Sequence, residues 1–483
     1  MNTVPPLLSA DPVGPSAQTK VLQRLTHAAF LLFLFLALGT HSGLWRTGPF
    51  TWAPLLRLPA VLPVGGLLAD QETAVQIGLL SLAPVIWVAG WGLMEAARWR
   101  ERGRNGGAGG TRLWRHTTWP LAGLSALSIA SLLAAPDQRL ALFLPSLAAV
   151  WLVFLFVARE QPPTAPVLAG VVVLQSAVAL GQVLLQRDLG LSALGELSLD
   201  PAQRGVVVLW ADSQRWLRGY GLTNHPNMLG ALLAVLILLL LNELPRAAGW
   251  RRRLLAAAVG VGTLGVWASA SRAAWLALAA GAALWGISQW QLRRRAPARA
   301  SAELGGSARG PWRRGALALA VVAGVAALAA ALGPLLAARL LDLGSEIEAR
   351  SLNERQRDLA LALHLFRLHP LTGVGLGRYL AEARSVIPQA RVVHNVPMLV
   401  AAELGLAGLA LWAWLTLAPL AAAAVAWRRG RFASAAAAAP WLAVVVLGMF
   451  QSVPWITSSW RTAILMGLVM AAWSLALEKE TRP

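Results

Sequence analysis

Of 483 residues, 57% are hydrophobic and only 13% are charged, too little charge to cover the surface of a soluble protein of this size. A formal net charge of +20 would point a soluble chain to nucleic acid; here the basic residues stand in loops between apolar runs, where they orient helices against anionic lipid, so membrane lipids are expected as partners and nucleic acid is not. With no cysteine, disulfides, thiol chemistry and zinc–cysteine sites are excluded.

In chain order, residues 1–20, with Pro5, Pro6, Pro12 and Pro15, read as a disordered cytoplasmic tail, and residues 21–483 as a single membrane domain. The first apolar run begins near Leu22 without a small-residue cleavage site and a following soluble domain, so it reads as a retained helix. A spanning helix needs ~20 apolar residues. About twelve runs meet that length, near 22–40, 74–97, 118–135, 138–158, 164–186, 226–243, 252–270, 272–290, 315–333, 396–426, 434–452 and 460–477. Residues 50–69, interrupted by prolines and Arg57, read as interfacial or re-entrant. The expected fold class is all-α, a polytopic integral membrane protein with about twelve transmembrane helices.

Arginine placement gives the orientation. With the N-terminus cytoplasmic, Arg98 to Arg115, Arg246 to Arg253, Arg293 to Arg314 and Arg428 to Arg431 all fall on the inner side, the positive-inside pattern. Two external loops remain, 187–225 and 334–395. The second lies between helices 9 and 10, carries eight arginines (Arg339, Arg350, Arg355, Arg357, Arg367, Arg378, Arg384 and Arg391) and has helix-like periodicity with turn glycines. Loops of that length are usually functional, and long loops are exempt from the charge rule, so lipid bias does not account for these arginines.

Three polar features meet on the outer side. Arg218 precedes Gly219-Tyr220-Gly221-Leu222-Thr223-Asn224-His225-Pro226-Asn227, and Pro226 suits a first helical turn. Arg272 closes the tight Ser269-Ala270-Ser271-Arg272 loop, and His394-Asn395 leads into the next apolar run. Arginine pairs bidentately with phosphate, so two or three at one outer pocket suit a pyrophosphate; singly, each also reads as a loop or topological arginine. His394 is placed to accept or orient a proton, or to bond backbone at a helix entry. Glu403, inside an apolar run, is expected to pair with an arginine or polar backbone, since intramembrane carboxylates are functional or paired. Gly373-Val374-Gly375-Leu376-Gly377 lacks the preceding strand of a dinucleotide loop and reads as a close backbone approach after a helix near 353–368. No carboxylate cluster or histidine spacing of metal-site type is present, so no cofactor or metal is expected.

Taken together, Arg218-Gly-Tyr-Gly with His225-Pro-Asn, Ser271-Arg272, Arg355, His369-Pro-Leu-Thr-Gly-Val-Gly-Leu-Gly-Arg-Tyr379, and His394-Asn395 with Glu403-Leu-Gly405 and Gly408 resemble the O-antigen ligase and polymerase superfamily over roughly residues 165–425. These are bacterial inner-membrane glycosyltransferases of the GT-C type. The resemblance implies that a glycan passes from an undecaprenyl-pyrophosphate carrier to a lipid-anchored or glycan acceptor at the periplasmic face, without metal or nucleotide. It makes 334–395 a periplasmic loop. By the same analogy Arg218 and Arg272 hold the pyrophosphate and His394 activates or orients the acceptor hydroxyl, with Arg355, Arg378, Arg391, Tyr379, His225, Asn395 and Glu403 as candidate substrate-binding residues. Ligases of the superfamily tend to carry histidine and glycine with ten residues between, as His394 and Gly405 do, which favours ligase over polymerase. The superfamily also holds protein-glycosylating transferases and bicarbonate transporters. A transporter would call for helices broken within the membrane and an inverted repeat, neither of which the sequence displays, and a non-catalytic scaffold would not need Arg218, Arg272 and His394 together.

Overall fold

The computed structural model describes residues 17–40, 57–58, 75–76, 82–105, 115–134, 138–211, 214–295, 333, 346–455 and 460–481. The chain is helical almost throughout. The first helices are α1 (Ala17–Gly39), α2 (Leu82–Asn105), α3 (Arg115–Ala134), α4 (Gln138–Glu160) and α5 (Thr164–Leu185), followed by α6 (Pro226–Glu243), α7 (Gly249–Ala268) and α8 (Arg272–Arg295). The later ones are α9 (Glu346–Leu368), α10 (Tyr379–Val386), α11 (Val396–Arg428), α12 (Phe432–Ala437), α13 (Ala439–Phe450) and α14 (Trp460–Thr481).

Eight helical segments among the described residues are long and apolar enough to cross a membrane, which makes this an all-α, multi-pass membrane protein. Of the other expected runs, 252–270 and 272–290 fall on α7 and α8, and 74–97 overlaps α2 only from Leu82, since Val75 and Gln76 are strand where helix was expected. These helices are of similar length but carry arginines at one end, Arg98 to Arg104, Arg251 to Arg253 and Arg293 to Arg295. The 315–333 run lies outside the described residues apart from Gly333, and 50–69 apart from the two residues of β1 (Arg57–Leu58), which pairs with β2 (Val75–Gln76). The first helix starts at Ala17, inside the stretch expected as a tail.

At the centre is α6. Its sequence from Met228 to Leu240 is apolar on every side, and all of it is buried, as expected of a helix enclosed by others. It packs against α5, α7, α8 and α13. Around it, α4 packs along α14, α3 along α11, α1 along α2, and α8 along α13. Phe30, Trp87 and Phe156 join α1, α2 and α4 with ring centroids 4.7 to 5.3 Å apart. At one end of that trio Arg98 grips the buried Glu160 through both carboxylate oxygens, the second at 2.9 Å, so the carboxylate is paired as a buried charge must be.

The 187–225 loop has a small core of its own, formed by Leu199, Leu217 and Tyr220. It contains the antiparallel hairpin of β3 (Val208–Ala211) and β4 (Gln214–Leu217), a departure from the all-helical expectation. The run Val206-Val207-Val208 is β-branched and favours extended backbone, and the Val207 N–H donates to the Tyr220 hydroxyl at 2.6 Å.

Candidate active site

Strand β4 delivers Arg218 to the start of a short loop, 218–225, that runs into α6. Two buried glutamines on α5 hold this loop by its backbone. Gln182 Oε1 accepts from the N–H groups of Tyr220 and Gly221 at 2.9 Å each, while its Nε2 donates to Gly221 O and to Glu196. Seven residues earlier, Gln175 Oε1 accepts from Leu222 N at 2.8 Å, and its Nε2 donates to the carbonyls of Leu38 and Gly39. From α14, Arg461 donates to Leu222 O and to Ala37 O, both at 3.1 Å. Buried backbone groups need such partners, and the loop is fixed because each side chain satisfies several.

Arg218 is buried. Its Nε donates to Ser269 O at 2.9 Å and one Nη to Asn227 Oδ1 at 2.8 Å, so it joins the loop before Arg272 to the first turn of α6. His225 caps α6: its Nδ1 accepts from Asn227 N at 3.0 Å, and Pro226 follows as the first helical residue, as its sequence predicts. Burial, then the charges of Arg218 and His394, pushes His225 down to about 4, so it is neutral at pH 7.

The glycine-rich run 373–377 makes the close approach expected of it, and its partner is a broken helix. Within α11, Gly405 has φ 67° and ψ −162°, a conformation open essentially to glycine alone. The helix stops there and restarts. Carbonyls orphaned on one side accept from the loop, Val374 N to Ala402 O at 2.8 Å and Gly375 N to Glu403 O at 2.9 Å. On the other side Leu406 N donates to Pro370 O at 2.8 Å. A Cβ on Gly405 would collide with the Leu371 carbonyl, and one on Gly373 with the backbone of Glu403. The expectation of unbroken helices is therefore corrected. Gly405→Ala is expected to cost at least ~1–3 kcal/mol from backbone strain, read as a lower unfolding temperature in detergent; an unchanged midpoint would show that the junction does not require glycine.

Between this junction and α6 lies a cavity of about 380 Å³ whose walls include His225, Asn227, Tyr379, His394, Glu403 and Gln451. Glu403, 2% exposed, accepts from Trp455 Nε1 at 2.9 Å. The Tyr379 hydroxyl donates to Asp358 O at 3.0 Å, and burial raises it above the usual phenol range. His394 has its Nδ1 buried without a hydrogen-bond partner. Burial, then the charge of Arg355, holds His394 below the ordinary histidine value, against the opposing pull of Asp358. Burial also lowers Arg355 on α9, and Arg355 in turn repels Arg272 at the start of α8. A series of cationic or potentially cationic groups thus feel one another: Arg218 with His225, His225 with His394, His394 with Arg355, and Arg355 with Arg272.

Of the residues singled out in the sequence, His225, Tyr379, His394 and Glu403 share the cavity wall. Arg218 stands behind it through Asn227, and Arg272 and Arg355 adjoin through their charges. Three others are not on the wall. Asn395 caps α11 by accepting from Met398 N and donates to Met449 O. Arg391, mostly exposed, pairs with Glu354 at 3.1 Å, and Arg378 stands at the N-cap of α10.

Asp358, Gln175, Gln182, Gln451 and Trp455 went unread. Gln175 and Gln182 had a signal, a spacing of seven on one face of an apolar run; Asp358, one of several acids among the arginines of its stretch, had none. Among the described residues no three His, Asp or Glu side chains converge as a metal site.

No curated protein matches the sequence. Residues 257–413 match the family model described as O-antigen ligase, a stretch that contains Arg272, Arg355, Tyr379, His394, Glu403 and Gly405, and the resemblance drawn from those motifs is borne out.

Proposed function

We propose that this protein is an O-antigen ligase-like, inverting glycosyltransferase that needs no metal. It would move a glycan from undecaprenyl pyrophosphate to an acceptor hydroxyl at the outer face of a bacterial cytoplasmic membrane. The family match supports a membrane enzyme of glycosyltransferase type. The observation that carries the finer reading is the like charge of Arg272 and Arg355, close enough for Arg355 to act on Arg272 and also on His394 of the cavity wall. Two like charges brought together suit a polyanion, which is the charge a pyrophosphate brings.

In this reading the pyrophosphate lies against Arg272 and Arg355, with Arg218 fixing the loop that precedes Arg272. The acceptor oxygen attacks the anomeric carbon from the side opposite the pyrophosphate. Its proton passes to His394, which is neutral at pH 7, as the bond from the anomeric carbon to the pyrophosphate oxygen breaks. The leaving pyrophosphate keeps the electron pair, and the arginines balance its charge. Positioning and charge stabilisation can carry most of such a reaction, because the leaving group is already good. The twelve-span topology, with both termini cytoplasmic and 334–395 outside, belongs to the same proposal.

The test is purified protein given carrier-linked glycan alone and then with a separate acceptor. Transfer only after the acceptor is added is expected, whereas a ladder of extended carrier-linked products would make the protein a polymerase. Separate surroundings for the arginines favour the ligase: the charge of Arg355 acts on Arg272, Arg391 pairs with Glu354, and Arg384 donates to Ala390 O, so they do not read as a second pyrophosphate site. The break at Gly405 favours one other reading, an anion transporter with a broken helix; uptake of labelled bicarbonate by proteoliposomes, with no glycan transfer, would establish it. Transfer is also expected to run undiminished with EDTA present and no nucleotide, and a strict requirement for magnesium or manganese would overturn the metal-free mechanism.

A further inference from the structure

At the end of α13, Gln451 is 3% exposed and lines the same cavity as His394 and Glu403. Its Nε2 donates to Ser271 Oγ at 2.9 Å, 180 residues away in sequence. Its Oε1 is buried and has no hydrogen-bond partner. A buried amide oxygen left open is costly, and one that lines a cavity is placed to be completed by what enters that cavity. Ser271 directly precedes Arg272, so the side chain that aims the amide is the sequence neighbour of an arginine assigned to the pyrophosphate. Whatever meets Gln451 is therefore close to that pyrophosphate and able to donate a hydrogen bond. Phosphate oxygens at pH 7 are acceptors and do not fit an open carbonyl oxygen; the hydroxyl or amide N–H groups of a sugar ring do.

We propose that Gln451 binds the first sugar of the donor, the ring attached to the pyrophosphate, through a hydroxyl or acetamido N–H of that ring, and so helps to set which donors are used. This rests on the functional reading above. It makes Ser271 a positioning residue for Gln451, and the 269–272 loop a part of the site that orients both an arginine and a sugar-binding amide.

The experiment measures binding of two probes to detergent-solubilised full-length protein, bare undecaprenyl pyrophosphate and undecaprenyl pyrophosphate carrying one N-acetylglucosamine. Gln451→Met, close in shape but without the amide, is expected to raise Kd for the sugar-bearing carrier by about 3- to 10-fold, the loss of one uncharged hydrogen bond, and to leave Kd for the bare carrier unchanged. Gln451→Asn, a shorter amide, is expected to shift in the same direction. Unchanged Kd for both probes in both variants would overturn the assignment while leaving the carrier-binding reading intact. Equal weakening of both probes would also overturn it, by making Gln451 a structural residue. Should the wild-type protein bind neither probe, the functional reading itself fails, and the role of Gln451 fails with it.

Discussion

Replacing His394 by alanine is expected to lower glycan transfer by about 10²- to 10⁴-fold, the usual contribution of a positioned general base, without loss of folded protein. The geometry separates these two effects. His394 Nδ1 has no hydrogen-bond partner, a bond with the Val392 backbone is the one the side chain gives up, and the capping of α11 belongs to Asn395. Wild-type rates in the variant would end the catalytic assignment, and an unfolded variant would make His394 structural.

A pH profile gives a second check. Burial and Arg355 depress the His394 value, so the proton-accepting form persists below the ordinary histidine value of 6.5 and activity falls only as pH drops through the lower, folded-state value. Stability has the same sign. For His394 and His225 the unfolded chain binds the proton more readily than the folded one, so their contribution to stability is present above about 6.5 and is lost as pH falls towards the folded values, about 4 for His225. The measured unfolding temperature should drop across that window, and His225→Asn should flatten the drop.

The second large effect concerns Arg272 and Arg355. Loss of a charge-assisted hydrogen bond to phosphate costs ~1.5–3 kcal/mol, so Arg272→Ala should weaken binding of the carrier-linked donor by about 10- to 150-fold. Lysine should rescue poorly, because an ammonium is a point charge without the planar fork. Arg355→Ala should weaken the donor similarly yet leave the empty protein no less stable, since it removes a half-buried charge that repels Arg272. A residue held for packing would give the opposite result, with lower stability and unchanged donor affinity. Calorimetric titration of donor into each variant, beside its unfolding temperature, distinguishes the two.

Much of this was legible in the sequence because membranes impose coarse patterns. Apolar run length marks helices, and the Pro226 and Asn395 positions mark where two of them start. His394 and Gly405 were legible as a spacing, but the reason for the spacing was not: one leads into a short helical segment, and the other ends it where the 370–375 loop docks. That reason lies in backbone hydrogen bonds between segments distant in sequence, which leave little trace in residue type beyond the glycines. Gln451 was hidden for a related cause. Its meaning comes from Ser271, and nothing along the chain ties position 451 to position 271. Arg391 and Asn395 carried the right chemistry in the right stretch, but nearer partners, Glu354 and the backbone of Met398 and Met449, engage them.

The break at Gly405 also bears on how the chain is assembled as it is synthesised. Three backbone groups around the break, the carbonyls of Ala402 and Glu403 and the N–H of Leu406, find their partners in residues 370–375. In hydrocarbon such groups cannot be left to water. A ribosome delivers 370–375 about thirty residues ahead of the break, and earlier segments fold first during synthesis. The partners are thus already made when α11 enters the bilayer, whereas a circular permutant that moved 370–375 to the end of the chain would present the broken helix to lipid with its backbone unpaired.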